Sequence, residues 1–192
     1  MQKILIIDIE TTGFQKDGGA IVEVGIVSLN LDTGGIETLF DSVCREEILT
    51  ARHREPPMGW IFHNSTLTIE MVREAPLLSD LLPEIQLIIN EHPLGATAYN
   101  RAFDFNFLES RGIAFGNKLP CPMELATPIC KLPSLHPSHG RYKWPKVEEA
   151  WAHFFPGERY VELHRGADDA RHEARIVYEL YRRGCFEVRS GG

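Results

Sequence analysis

The chain has 192 residues, 43% of them hydrophobic and 24% charged, and its formal net charge is −7. These are ordinary values for a globular protein that is long enough to bury a core without staples. The negative charge argues against a protein that coats nucleic acid with a broad basic surface, but a nucleic acid held locally by metal ions and a few cations remains compatible. We expect one domain over residues 1–185 and a short tail at 186–192.

The cysteines and the amino terminus indicate the compartment. Cys44, Cys121, Cys130 and Cys185 are widely spaced, which predicts neither a zinc knuckle nor a disulfide framework and suits a reducing environment. Residues 1–9 are too short and too soon acidic for a signal peptide. No stretch approaches the ~20 apolar residues that a membrane span requires. We therefore expect a cytoplasmic protein without a membrane partner.

The first part of the chain is predicted to form strands. Residues 4–7 are a continuous apolar run, typical of a buried central strand. Strands at 20–29 and 36–43, joined by a turn at 32–35, predict an antiparallel three-stranded meander. Residues 45–64 are predicted to be a loop.

Helices dominate the remainder and alternate with one buried strand. The predicted elements are helices at 65–74, capped near Ser65, and at 77–90, broken or kinked at Pro83; a strand at 94–99; and helices at 101–111, 123–130, 146–155 and 167–183, with a long loop over 131–145. This order predicts a mixed α/β sheet with helices on both faces. A functional site is expected at the ends of its strands.

Two acids, Asp8 and Glu10, end the first strand. Side chains on a strand alternate between faces, so both carboxylates point the same way. At a buried strand end they would repel each other and lose hydration, a conflict that a divalent cation removes because hard ions take oxygen ligands. The alternative is an ordinary solvated strand end.

Two more acidic clusters lie at predicted helix starts. Asp104 lies one turn into a helix, where the helix dipole alone could explain an acid. Helical periodicity places Asp169 beside the apolar face of the last helix, after His164 in a glycine-containing turn. A histidine can transfer protons near neutral pH, although a loop histidine is often simply solvated.

These segments together resemble the three motifs of the DEDDh family of 3′–5′ exonucleases. The matching segments are Asp8-Ile9-Glu10-Thr11-Thr12-Gly13, the run from Asn100 to Leu108, and His164 to Asp169. The spacing of the third motif selects Asp169 over Asp168, and its histidine places the chain in the histidine branch. Arg101 and Gly166 depart from the common pattern, which bears on substrate contacts and loop mobility.

The resemblance implies a ribonuclease H-like fold and two-metal phosphodiester hydrolysis. Asp8, Glu10, Asp104 and Asp169 would hold two Mg²⁺ or Mn²⁺ ions, and neutral His164 would be the general base. The products would be nucleoside 5′-monophosphates released from the 3′ ends of DNA or RNA, with single strands favoured. The sequence indicates no particular polymerase partner.

The resemblance also suggests where substrate binds. Thr11 and Thr12 would contact the terminal sugar, and Phe14 would stack on the terminal base unless it is a core residue. Asn100 would contact substrate or only cap its helix.

A local basic and aromatic patch is a separate signal from the residues themselves. No acid lies between Glu124 and Glu148, and the patch comprises Lys131, Arg141, Lys143 and Lys146 with His136, His139, Tyr142 and Trp144. We expect Arg141, Lys143 and Lys146 to guide the phosphate backbone of the incoming strand. The alternative is a loop packed through Trp144 with solvated lysines.

Two rival functions could use a similar set of residues. A binding or interaction module of the same fold without catalysis would have lost a metal carboxylate or the histidine, whereas all five residues are present. A metal-dependent phosphatase with a nucleophilic strand-end aspartate would carry a second Asp two residues later, where this chain has Glu10. The exonuclease is therefore favoured.

Overall fold

The computed structural model describes residues 2–134 and 141–188. Within them the strands are β1 (Lys3–Thr11), β2 (Ile21–Asn30), β3 (Ile36–Val43) and β4 (Ala96–Thr97). The helices are α1 (Trp60–Asn64), α2 (Ile69–Glu74), α3 (Leu78–Asn90), α4 (Arg101–Ser110), α5 (Pro122–Cys130), α6 (Val147–Phe154) and α7 (Gly166–Arg182).

The strands form one mixed sheet in the order β3-β2-β1-β4. β2 runs antiparallel to both β1 and β3, whereas β4 runs parallel to β1, with Leu5 opposite Ala96. An internal strand must bury both faces, and accordingly Ile4, Leu5, Ile6 and Ile7 are all inaccessible to solvent. The predicted fold class and opening meander are confirmed.

Helices cover both faces of the sheet, as predicted. On one face Ile6 packs in a core with Val177 of α7 and with residues of α5 and α6. On the other face Leu5 packs in a core with Phe105 of α4 and with residues of α3. The end of β1 therefore lies between two helical layers, and the starts of α4 and α7 lie close to it.

Several predicted elements need correction. Residues 45–64 are not all loop, because they contain α1 and a 3₁₀ turn at Ala51–His53. The helix predicted from Ser65 begins at Ile69, where Thr68 Oγ1 accepts a hydrogen bond from the Met71 N–H (3.1 Å). The strand predicted at 94–99 is reduced to Ala96–Thr97. Pro83 lies inside an unbroken α3.

The chain after α7 folds back onto the core. Gly184, in a left-handed conformation, reverses the chain after α7, and the Phe186 N–H then donates to Leu180 O (3.2 Å). Phe186 is 2% exposed and Val188 packs against the same core, although both lie in the segment expected to be a tail. In the described part of the chain, no helix combines the length and hydrophobicity needed to cross a bilayer.

Candidate active site

The end of β1 carries the first pair of acids in partly buried positions. Burial raises the pKa of Asp8, and the carboxylates of Glu173 and Glu10 raise it further. The pKa of Glu10 is likewise raised, first by burial and then by Asp169. Asp8 Oδ2 is buried without a hydrogen-bond partner among the described residues. The solvated strand end that would have explained both acids is therefore excluded.

Asp104 lies in the first turn of α4 and is 4% exposed. Its Oδ1 accepts a hydrogen bond from the Ile9 N–H (3.2 Å), which ties the start of α4 to β1 between the two motif acids. Burial raises the pKa of Asp104 to about 7, although this hydrogen bond acts in the opposite direction. An acid placed only for the helix dipole would be solvated, so the structure contradicts that alternative.

Asp169 lies in the first turn of α7 and is 2% exposed. Its Oδ1 accepts from the Tyr160 hydroxyl (2.9 Å) and its Oδ2 from the Arg165 N–H (2.8 Å). Burial raises the pKa of Asp169, and these two hydrogen bonds offset part of the rise. Neighbouring Asp168 instead faces His172, at 3.5 Å between Oδ2 and Nδ1.

His164 lies just before α7 with φ at +53°, a left-handed conformation that is uncommon for a histidine. One ring nitrogen of His164 and one carboxylate oxygen each of Glu10 and Asp169 lie within 4.8 Å of one another. Burial lowers the pKa of His164, against the opposing effect of Asp169. This geometry favours a neutral imidazole beside the acids.

Asp8, Glu10 and Asp104 line a cleft of about 320 Å³ together with two carboxyl groups that the sequence analysis missed. Glu173 follows Asp169 by one helical turn, is 3% exposed and accepts the Tyr99 N–H (3.3 Å). Burial raises the pKa of Glu173, followed by the effect of Asp104. Glu162 lies 3.8 Å from His164 Nδ1, and burial raises its pKa to about 7. The sequence did carry a signal for Glu173, because its i, i+4 spacing from Asp169 places both acids on one face of the helix.

A second pocket of about 490 Å³ adjoins the cleft and is largely apolar. Its lining includes Thr11, Phe14, Met58, Trp60 and Phe103. Phe14 is 62% exposed, so it is not a core residue, and its ring meets Phe103 edge to face at 6.2 Å. Met58 and Trp60 come from the segment predicted to be a loop, so their contribution was missed.

The two threonines and Asn100 differ in how free they are to bind substrate. Thr11 is partly buried and its hydroxyl donates to Gly13 O (3.0 Å). Thr12 is inaccessible, and its Oγ1 accepts the Ala20 N–H (2.9 Å), so this hydroxyl serves the fold instead of the predicted sugar contact. Asn100 occupies the N-cap position of α4, but its side chain makes no capping hydrogen bond to the described residues and borders the cleft.

The basic patch is partly neutralised. Lys143 Nζ lies 2.5 Å from Glu149 Oε1, and the Lys146 N–H donates to Glu149 Oε2 (2.9 Å). Arg141 lies over the Tyr142 ring at 5.3 Å. Trp144 is 64% exposed at the border of the cleft, so the loop is not packed through it. His136 and His139 lie outside the described residues.

The two departures from the common motif pattern have structural roles. Arg101 Nη1 donates to Leu119 O and thereby ties α4 to the chain that follows β4. Gly166 is buried at the start of α7 against Gly25 of β2, where a Cβ on Gly25 would lie 2.1 Å from Ala167 N. Gly166 is thus a close-packing residue in α7, not the mobile turn residue that was expected.

Comparisons with known proteins agree with this geometry. The chain is 25% identical over 176 residues to the DNA polymerase III PolC-type of Clostridium perfringens, covering 90% of this chain and 11% of that protein. It is 26% identical over 184 residues to the PolC-type of Caldanaerobacter subterraneus subsp. tengcongensis, covering 93% and 11%. The chain therefore spans about a ninth of the length of these relatives.

Solved structures share the fold. The nuclease domain of 3′hExo, described as a DEDDh family member bound to rAMP, superposes with a TM-score of 0.68 at 21% identity, over 100% of this chain and 96% of that one. Cell-death related nuclease 4 gives 0.67 at 13% identity, over 96% and 65%. The sequence profile described as "Exonuclease" matches residues 5–177, which is most of the chain. The chain therefore belongs to the exonuclease family, and its predicted recognition as a DEDDh-type member is confirmed.

Proposed function

We propose that this protein is a 3′–5′ exonuclease that hydrolyses phosphodiester bonds at nucleic-acid 3′ ends and releases nucleoside 5′-monophosphates. Family membership supports a nuclease, and one observation carries the proposal further. Ligand atoms of Glu10, His164 and Asp169 lie within 4.8 Å of one another, beside the partly buried Asp8 and the buried Asp104. Acids so close and so poorly hydrated repel each other, and divalent cations would relieve that repulsion.

The donor set fits such cations. Asp8, Glu10, Asp104 and Asp169 offer carboxylate oxygens, the preferred ligands of Mg²⁺ and Mn²⁺. Asp8 Oδ2 has no hydrogen-bond partner in the described part of the chain, and the pKa values of all four groups are raised, both of which fit a cation as counter-charge. We infer that these four residues hold two cations. The chemistry that such ions supply is activation of a water molecule and stabilisation of charge on the scissile phosphate.

His164 is the proposed general base. Because burial lowers its pKa, its imidazole is neutral at neutral pH and can accept a proton from the attacking water. The neighbouring Asp169 carboxylate would then stabilise the imidazolium that forms. Hydrogen bonds from Tyr160 and Arg165 orient Asp169 independently of that proton transfer.

The apolar pocket is the proposed site of the terminal nucleobase. Its volume of about 490 Å³ is ample for one base, and Phe14 and Trp60 offer aromatic faces for stacking. A base enters such a pocket when it leaves its helical stack, which favours a single-stranded 3′ end. Thr11 and Asn100 line the route to the carboxylates, and Arg141, Lys143 and Lys146 would attract the upstream phosphates.

The direct test uses 5′-labelled DNA and RNA, single-stranded and duplex, with Mg²⁺, Mn²⁺ or EDTA. We expect a ladder that shortens from the 3′ end with either ion and stops with EDTA. Asp8→Asn should abolish the ladder, whereas Asp80→Asn, at an exposed position on α3, should not. Binding of every substrate without cleavage under any condition would instead support the catalytically inactive module.

A further inference from the structure

Arg165, the residue directly after His164, forms a multidentate contact with a buried acid of the sheet. Its Nε lies 3.0 and 3.1 Å from the two carboxylate oxygens of Glu23, and its Nη2 lies 2.8 Å from Glu23 Oε1. Glu23 is 0% exposed. The same guanidinium reaches outward through Nη1 to Thr66 Oγ1 at 2.9 Å. Arg165 thus joins the turn before α7 to β2 and to the segment between α1 and α2.

Glu23 faces the proposed active site. In the register of β1 and β2 it is directly opposite Glu10, and its charge is among those that raise the pKa of Glu10. The Arg165 side chain is 32% exposed while that of Glu23 is 1% exposed. A half-exposed ion pair contributes little to stability, because solvent screens one partner and the other loses hydration. Stability alone therefore explains this pair poorly, and its position beside Glu10 suggests a role in the site.

The backbone at His164 needs such a restraint. A non-glycine residue at φ +53° occupies a sparsely populated conformation, which persists where the surroundings hold it. Close packing of Gly166 on Gly25 fixes the first residue of α7. The contact of the Arg165 guanidinium with Glu23 fixes the residue next to His164 as well. The Arg165 N–H also donates to Asp169 Oδ2 at 2.8 Å.

We propose that Arg165 and Glu23 are positioning residues for catalysis, and that their ion pair fixes the orientation of the His164 imidazole relative to the attacking water. This inference rests on the proposed exonuclease function. Neither side chain takes part in bond breaking. They narrow the range of orientations that the His164 ring samples, and their loss is therefore expected to lower kcat through His164.

The test compares full-length variants in steady-state 3′-end cleavage at saturating Mn²⁺. Removing Arg165 alone would leave the buried Glu23 carboxylate without its counter-charge, with the Gly166 N–H (3.1 Å from Oε2) as its remaining partner among the contacts described. The principal variant is therefore Glu23→Gln/Arg165→Met. We expect its kcat to fall about 10- to 100-fold, the usual range for a partner that orients a reacting group, with KM and Mn²⁺ affinity within about twofold of wild type. Arg171→Met is the matched control, because this exposed arginine of α7 bonds only to Thr38 Oγ1 among the contacts described (2.9 Å).

A double-mutant cycle separates positioning from general structural damage. Introduced into His164→Ala, the Glu23→Gln/Arg165→Met pair should lower kcat by less than about twofold, because the residue it orients is already gone. An equal loss in both backgrounds, or a folded pair variant with wild-type kcat, would overturn the inference. If the pair variant fails to fold, Glu23→Gln alone replaces it, and its kcat is compared in the wild-type and His164→Ala backgrounds in the same way. An inactive wild-type protein would contradict the proposed function instead.

Discussion

The rings of Trp60 and His164 meet edge to face with their centroids 4.8 Å apart. Trp60 lines the apolar pocket and His164 borders the carboxylate cleft. This contact therefore joins the proposed nucleobase pocket to the residue proposed to accept the proton. Trp60 is 49% exposed, and stacking of a base on it would cover that surface beside the catalytic ring.

Replacing Trp60 should therefore affect binding and turnover together. Base stacking on an aromatic side chain contributes about 1–3 kcal/mol, so Trp60→Ala should raise KM at least about fivefold and should also lower kcat. Trp60→Phe keeps a ring and should retain most of both parameters. Leu87→Ala, at an exposed apolar residue of α3, serves as the control for steady-state measurements. Unchanged KM and kcat in Trp60→Ala would refute the link.

The acid limb of the pH–rate profile should belong to His164. Burial lowers the pKa of His164, while Asp169 and Glu148 raise it and Lys146 lowers it, with burial the largest effect. The neutral base should persist to lower pH than a solvated histidine would, so at saturating Mn²⁺ kcat should fall only below pH ~6.5. His164→Ala should lose about 10²- to 10⁴-fold in kcat and lose this limb as well.

Exposed His153 on α6 provides the matched control for that measurement, since His153→Ala should keep both the rate and the profile. A His164→Ala enzyme that retained the wild-type acid limb would assign the limb to another group.

The metal-free protein should become less stable as pH rises. The pKa of Asp104 is raised to about 7, so the folded protein binds more protons than the unfolded chain between the ordinary value near ~4 and about 7. Stability from this group is thus largest at low pH, falls through that window and is constant above it. In EDTA, Asp104→Asn should show a smaller loss of melting temperature than wild type between pH 5.5 and 8.

Thermal unfolding measures this difference directly, because 1 kcal/mol corresponds to about 2–4 °C for a protein of this size. Saturating Mn²⁺ should raise the wild-type melting temperature most at pH 8, where the carboxylates are ionised. Identical pH dependence in wild type and Asp104→Asn would count against the raised pKa.

The basic patch should appear as a salt effect on substrate binding. Each phosphate contact on a single strand contributes about −0.7 to the slope of log affinity against log salt concentration. Because Glu149 already pairs with Lys143, the Arg141→Ala/Lys143→Ala/Lys146→Ala variant should flatten that slope by about 1 to 2. Lys3→Ala/Arg182→Ala, at the ends of β1 and α7 remote from the cleft, is the control. A triple variant whose KM equals the wild-type KM at every salt concentration would defeat the proposed guidance.

The sequence was most informative where a side chain's direction follows from regular structure. Alternation along β1 predicts that Asp8 and Glu10 point the same way, and helical periodicity places Asp169 beside the apolar face of α7. The choice of Asp169 over Asp168 came from the motif resemblance. The fold class was predicted from the order of the elements and the family from the resemblance of three motifs, and both are confirmed.

What the sequence did not predict depends on contacts between distant segments. α1 has five residues, too few for a helical period, so the approach of Trp60 to His164 was not foreseeable. Glu173 occurs on a helical face of alanines and aliphatic residues, where its burial beside Asp8 depends on how α7 packs on the sheet. The Arg165–Glu23 pair joins residues 142 positions apart. Thr12 illustrates the same limit, because its hydroxyl is taken by Ala20, eight residues along the chain.

The central claim is that Asp8 and Glu10 of β1, Asp104 of α4 and Asp169 of α7 form a cation site. Calorimetric titration of the metal-free protein with Mn²⁺ at pH 7.5 tests it. We predict that the wild-type chain binds two Mn²⁺ ions and releases protons as it does so. Asp8→Asn should lose Mn²⁺ affinity by more than the roughly 10- to 100-fold that is typical of an outer-sphere partner. Asp80→Asn should bind Mn²⁺ as the wild type does. Wild-type affinity and stoichiometry in Asp8→Asn, or no Mn²⁺ binding by the wild-type chain, would contradict the account.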